Sequence, residues 1–212
     1  MIITDIQQGT EEWRQIRLGK VTASRVADII AKTKTGYSTS RTNYLTELVL
    51  ERVTGSAADR YQNDAMRQGT ELEPIARAAY EFETDAQVHQ VAFATHPILP
   101  MCGASPDGLV GDDGLVEIKC PQPAAHLDTI LTETIPAKYV TQMQWQMACL
   151  ERQWCDFASF NPLFPGPVRL FIKRVHRDDA VIRELEFEVA KFLGEIEGKL
   201  EDLNAAMQRR AA

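Results

Sequence analysis

The stretch from Gly103 to Pro121, GASPDGLVGDDGLVEIKCP, restricts this chain more than any other part of it. Gly111-Asp112-Asp113-Gly114 is a strong turn signal: glycine reaches the backbone angles a tight turn needs, and aspartate bonds to its own nearby backbone. The turn stands between apolar Leu109-Val110 and the run Leu115 to Cys120. Two short strands around such a turn predict a hairpin. Along a strand, alternate side chains share a face, so Glu117 and Lys119 point one way and Ile118 points the other, toward a core. Asp107, which follows Pro106 at the end of the first strand, comes near Glu117 once the hairpin closes.

Two carboxylates and one ammonium then meet at one place. Close carboxylates repel and are costly unless a cation lies between them. Hard oxygen ligands of this kind suit Mg²⁺ or Mn²⁺, which keep other positions for water and phosphate. A lysine beside such an ion can hold an attacking water and stabilise developing charge. The residues alone leave a second possibility open, an exposed acidic hairpin with an ordinary Glu/Lys pair. Asp112 and Asp113 read as turn formers.

The rest of the chain supplies elements around this hairpin. Thr22-Ala23-Ser24 predicts a helix start with Ser24 as N-cap and Val26, Ile29 and Ile30 on the apolar face. The polar span 32–40 predicts a loop. Helices are expected over 41–53, with Tyr44, Leu45, Leu48 and Val49 inward and Gly55 as the stop, and over 71–82, with Leu72, Ile75, Ala76, Ala79 and Tyr80 inward. Residues 87–94 alternate as a strand does, and 101–104 predict a further strand piece. A helix over 137–150 and strands over 154–160 and 168–175 follow. From 178 to about 207 the pattern is helical, with Val181, Leu185, Val189, Phe192, Ile196, Leu200 and Leu203 on one stripe. No repeat or long linker divides the 212 residues. The expected class is α/β or α+β: one domain over 1–212, a central mixed sheet flanked by helices, with a C-terminal helix.

Composition excludes little. The net charge is −7, which argues mildly against a nucleic-acid partner, but distribution matters more than the sum. From Trp13 to Arg41 seven basic residues (Arg14, Arg17, Lys20, Arg25, Lys32, Lys34, Arg41) face one acid, Asp28, a net of +6 that leaves −13 for the remainder. Such a segment is a phosphate-binding face or solvated surface. No run approaches the roughly 18 apolar residues of a membrane span, and the start lacks the layout of a secretory signal. Cys102, Cys120, Cys149 and Cys155 form no CxxC pair, so reduced, mostly buried thiols in a cytoplasmic protein are expected rather than an iron–sulfur cluster.

Pro106-Asp107, nine residues, then Glu117-Ile118-Lys119 resembles the PD-(D/E)xK nuclease signature. Three further segments resemble the family of phage lambda exonuclease and the YqaJ-like viral recombinases. They are Trp13-Arg14-Gln15-Ile16-Arg17-Leu18-Gly19 with Thr22-Ala23-Ser24; Gly69-Thr70-Glu71-Leu72-Glu73 with Ala76-Arg77; and Tyr139 with Gln142, Gln144 and Met147. The likeness spans about 13–160. It implies a restriction-endonuclease-like core. It implies Asp107, Glu117 and the Ile118 carbonyl as metal ligands, Lys119 as the residue that positions the nucleophilic water, and Glu73, in preference to Glu71, completing the metal site. Gln142 would stand at the edge of the site, Gln144 would face elsewhere, and Tyr139 would line the site or pack. Arg17 and Ser24 would hold a terminal 5′-phosphate, and Lys34 would reach DNA from its loop. Trp13 is expected in the core.

The activity so implied is hydrolysis of double-stranded DNA from 5′ to 3′ with two Mg²⁺ ions, Mn²⁺ substituting, leaving a 3′ single-stranded tail. The partners so implied are DNA ends bearing a 5′-phosphate, two further copies in a homotrimeric ring, and a single-strand annealing protein of phage-type recombination. An endonuclease on the same core, and a DNA-binding module without activity, remain open.

Overall fold

A computed structural model describes residues 1–57 and 64–211. In chain order its elements are β1 (Ile2–Ile3), α1 (Glu11–Arg17), β2 (Val21–Thr22), α2 (Val26–Ile30), β3 (Lys32–Thr33), β4 (Gly36–Tyr37), α3 (Thr39–Thr54), α4 (Asp64–Thr84), β5 (Val88–His89), β6 (Phe93–Thr95), β7 (Cys102–Ala104), β8 (Gly108–Val110), β9 (Gly114–Lys119), α5 (Pro123–Thr132), α6 (Ala137–Leu150), β10 (Trp154–Phe160), α7 (Gly166–Arg169), β11 (Leu170–His176) and α8 (Asp179–Ala211). This is a mixed α+β fold. Its main sheet has the order β11-β10-β9-β8-β5, and a second runs β1-β6-β7-β2. No helix among the described residues is long and apolar enough to cross a membrane.

The hairpin forms where its turn signal lies: β8 and β9 pair antiparallel, with Gly108 opposite Val116 and Val110 opposite Gly114. Gly111 has φ +53°, and a Cβ on Gly114 would stand 2.1 Å from the Trp154 ring, so both glycines are required. β9 and β10 are parallel. Parallel neighbours need a crossover, which α5 and α6 supply. One apolar cluster gathers Tyr44, Leu48, Leu115, Met143, Trp145, Met147, Val189, Phe192 and Ile196; the other joins Ala76 and Tyr80 of α4 to Val116, Ile118 and Ala158. The second cluster is why Ile118 turns away from Glu117 and Lys119.

Several expectations are corrected. Ser24 caps no helix: the chain passes through a 3₁₀ turn, Ala23–Arg25, before α2, and neither start carries a side-chain cap bond. Residues 32–40 are not a plain loop. β3 and β4 form a small hairpin, anchored to α8 by Tyr37, whose hydroxyl donates to Glu188 at 2.6 Å. Residues 87–94 are not one strand: β5 joins the main sheet and β6 the other, so Val91 to Ala94 are all buried. Helix α4 reaches back to Asp64, with Pro74 inside it, and Ile75 faces solvent. In α8, Ile182 takes the inward place expected of Val181, and Leu203 lies past the core. Helices α1, α5 and α7 lie outside the expected elements: α7 takes Val168 and Arg169, so the strand expected over 168–175 begins only at Leu170, and α1 is short and its burial is one-sided and slight. All four cysteines are free thiols, three of them buried.

Candidate active site

The end of β9 and the residue before β8 carry the reactive groups. Asp107 Oδ2 accepts from the Ile118 backbone N–H at 2.6 Å, which draws the carboxylate across the hairpin. Glu117 is fully buried. Its Oε1 accepts from Gln142 Nε2 at 2.6 Å and its Oε2 from Gln146 Nε2 at 2.5 Å. Lys119 Nζ forms an ion pair with Glu117 Oε1 and lies 5.3 Å from the centre of the Tyr139 ring. Tyr139 in turn stacks on Phe157, so it both packs and lines the site.

The electrostatics follow from burial. Desolvation, then the charge of Glu117, pushes the Asp107 carboxyl well above the usual carboxylate range. Desolvation works against the charged form of Lys119, but Glu117 and Asp107 outweigh it and raise its pKa. With both carboxylates ionised, they outnumber the one ammonium and leave a net charge of −1 around the fully buried Glu117. That excess suits a divalent cation with oxygen ligands, and Asp107, Glu117 and the Ile118 carbonyl are the donors nearest to hand. Among the described residues no group of three or more His, Cys, Asp or Glu side chains is gathered at metal-binding spacing. Glu73 lines the same cleft and raises the Asp107 pKa through its charge, while its Oε1 pairs with Arg77 at 2.6 Å. Glu71 is exposed and does not line the cleft.

The cleft has a volume of about 1450 Å³. Asp107, Lys119, Glu73, Gln142 and Tyr139 line it together with Arg17, Ser24 and the basic side chains Arg14, Lys20, Arg67 and Lys138. The fold thus brings α1 and the turn after β2 to the same cleft as the hairpin. Trp13 is a half-buried tether and not a core residue: its Nε1 reaches the Ala92 carbonyl at 3.0 Å and Ser105 Oγ at 3.1 Å, two residues before Asp107. Its ring carries the Arg17 guanidinium at 3.7 Å.

The basic segment divides in two. Arg25 pairs with Asp28 and Glu47, and Arg41 with Glu195, so these hold the fold together. Arg14, Arg17 and Lys20 face the cleft. Lys34 lies in the turn between β3 and β4, exposed and outside the cleft lining. Gln144 faces away as expected: it bonds the His176 carbonyl and the Asp178 N–H. Gln146 escaped the sequence reading. Its signal was the i, i+4 spacing from Gln142, which puts both amides on one face of a helix.

A carboxylate pair and a lysine on the central strands of a mixed sheet, beside a cleft lined by basic side chains, suit a nuclease. Comparison with known proteins narrows this. The YqaJ-like viral recombinase domain matches residues 12–153, and the chain belongs to that family. The solved structure of an alkaline exonuclease, LHK-Exo, from Laribacter hongkongensis is 50% identical, with a TM-score of 0.88, over 94% of this chain and 99% of that one. LHK-Exo in complex with dAMP matches at 50% identity and a TM-score of 0.89 over the same shares. A phage-related exonuclease from Haemophilus somnus 129PT, 16% identical, shares the fold, with a TM-score of 0.73 over 87% of this chain and 96% of that one. No curated protein matches.

Proposed function

We propose that this protein is an exonuclease that degrades double-stranded DNA from 5′ to 3′ with Mg²⁺, leaving a 3′ single-stranded tail for strand annealing. The observation that carries the reading is the Asp107–Glu117–Lys119 cluster, built around the buried Glu117, beside a cleft that Arg17 and Ser24 also line. The identity with an alkaline exonuclease supports it. In this reading residues 1–212 act as one nuclease unit in a bacterial cytoplasm, as a homotrimeric ring around DNA, and pass the tail to a single-strand annealing protein. A ring also accommodates the net charge of −7, since cleft cations face the DNA and acids face outward.

Asp107, Glu117 and the Ile118 carbonyl would hold the metal, with Glu73 contributing from α4. A bound divalent ion supplies Lewis acidity and a more acidic water. Lys119 donates to the attacking water and stays charged, because Glu117 and Asp107 hold its proton on. Gln142 keeps Glu117 in place. Arg17 and the Ser24 hydroxyl take the terminal phosphate, and Lys34 reaches DNA outside the cleft.

Metal removal has a predicted signature in stability. An aspartate whose pKa is raised in the fold destabilises the protein once ionised, so metal-free stability falls as pH rises from the unfolded aspartate value through the folded one. At neutral pH, Asp107→Asn should therefore melt higher than wild type without metal. Mg²⁺ at a hundredfold excess over its Kd should raise wild-type stability by about 2.7 kcal/mol, roughly 5–10 °C for a chain this size. The variant should not respond. A Mg²⁺ shift retained in Asp107→Asn, read by thermal melting with and without EDTA, refutes the assigned ligand.

The activity is tested on linear 5′-phosphorylated duplex with Mg²⁺, labelled at one end or the other, beside covalently closed plasmid. The expected result is early release of the 5′ label, late release of the 3′ label and an intact plasmid. Cutting of the closed plasmid would instead make the protein an endonuclease.

A further inference from the structure

Gln146 is fully buried and absent from the cleft lining, so it cannot touch substrate. Yet its Nε2 lies 2.5 Å from Glu117 Oε2, as close as any neutral group in the site. On its other side, Cys155 Sγ lies 3.9 Å from Gln146 Oε1 and equally 3.9 Å from the Asp156 carbonyl. Cys155 is buried on β10, and desolvation first, with the nearby charge of Glu117, pushes its thiol pKa far up, so it remains an S–H donor. A carboxylate accepts only, and a thiol here donates. One amide orientation alone satisfies both neighbours, with nitrogen toward Glu117 and oxygen toward Cys155.

We infer that Gln146, oriented by Cys155, is a positioning residue that holds Glu117 in the conformation that binds metal. The inference rests on the metal-site reading above. Gln142 fixes one carboxylate oxygen and Gln146 the other, one helical turn apart on α6. With both amides in place the carboxylate cannot rotate. Without Gln146 its Oε2 is left buried and unpartnered, and the side chain turns to find another donor.

The test uses the full chain without DNA and reads Mn²⁺ affinity by calorimetry, with the Mn²⁺ dependence of duplex cleavage beside it. Gln146→Met keeps the volume and removes the donor. It should weaken Mn²⁺ binding about tenfold, the loss of one hydrogen bond to a charged group. Half-saturation for cleavage should move by the same factor, while the rate at saturating Mn²⁺ returns toward wild type. Cys155→Ala should shift affinity the same way by less, and Cys155→Ser, which keeps a donor, should restore it. Asp107→Asn separates the two readings. If it binds Mn²⁺ as wild type does, the metal site itself is misassigned. If it loses Mn²⁺ while Gln146→Met binds normally, or loses rate without losing affinity, the positioning role is wrong. Should Gln146→Met fail to fold, the Cys155 pair decides: equal affinity in Cys155→Ala and wild type overturns the inference.

Discussion

Lys119→Ala is expected to remove DNA cleavage while the protein stays folded and still binds a divalent ion. Among the described residues Lys119 provides the only ammonium paired with Glu117, and no other cation is bonded to the two carboxylates. Deleting one preorganised donor to developing charge costs about 10²–10³ in rate. Losing a water-positioning group as well extends this toward the roughly 10⁴ limit of a general acid–base contribution. Folding survives because Glu117 keeps Gln142 and Gln146 as donors, so its charge is not orphaned. Asp107→Ala should be equally inactive for a different reason, loss of a metal ligand, and should not bind the ion. Asp112→Ala, in the exposed turn only five residues away, should cleave as wild type. The measurement is the initial rate on linear duplex, with a thermal melt for each variant. Wild-type rates in Lys119→Ala or Asp107→Ala would end the assignment.

Initiation on 5′-hydroxyl ends should be about ten- to a hundred-fold slower than on 5′-phosphate ends, the worth of one charge-assisted hydrogen bond. A terminal phosphate carries more charge than a bridging one, and a guanidinium engages its oxygens in a fork. Arg17 lines the same cleft as Asp107 and Lys119, held over the Trp13 ring, so its position is set before DNA arrives. Ser24 lines that cleft too. Because Ser24 caps no helix and α2 has only five residues, the discrimination rests on the guanidinium and hydroxyl and owes nothing to a helix dipole. Arg17→Ala should slow the phosphorylated substrate and bring the two ends closer together. Equal rates on both ends in wild type remove Arg17 as an end sensor. An equal loss on both in Arg17→Ala makes it a general backbone contact. Added salt should weaken binding to either end, since cleft contacts displace counterions.

Charge counting along the sequence cannot tell which cations of the basic segment face a cleft and which hold the fold together. Arg25 and Arg41 belong to the same basic segment as Arg17, but Glu47 and Glu195 neutralise them from α3 and α8. Those acids lie 22 and 154 positions away in the chain. A local sum cannot register them. Arg14, which also pairs with Glu11, and Arg17 and Lys20 line the cleft instead.

What the sequence by itself determined is local. The Gly111 to Gly114 turn specified the hairpin through backbone angles, and strand alternation put Glu117 and Lys119 on one face with Ile118 on the other. The α6 and β10 boundaries, 137–150 and 154–160, were legible because strong periodicity is bounded there by Pro136 and by the tight connection after Leu150. Tertiary structure alone decided the rest. It split residues 87–95 between two sheets, since a buried run reads alike whichever sheet receives it. It set α4 so that Glu73 looks into the cleft and Glu71 does not. It brought Arg17 to the cleft that Asp107 lines, Gln146 onto Glu117 and Cys155 onto Gln146. Turn and strand preferences act over a few residues, whereas the Cys155–Gln146 and Gln146–Glu117 contacts join residues 9 and 29 positions apart, and only packing of the sheet between α4 and α6 chooses among the partners available.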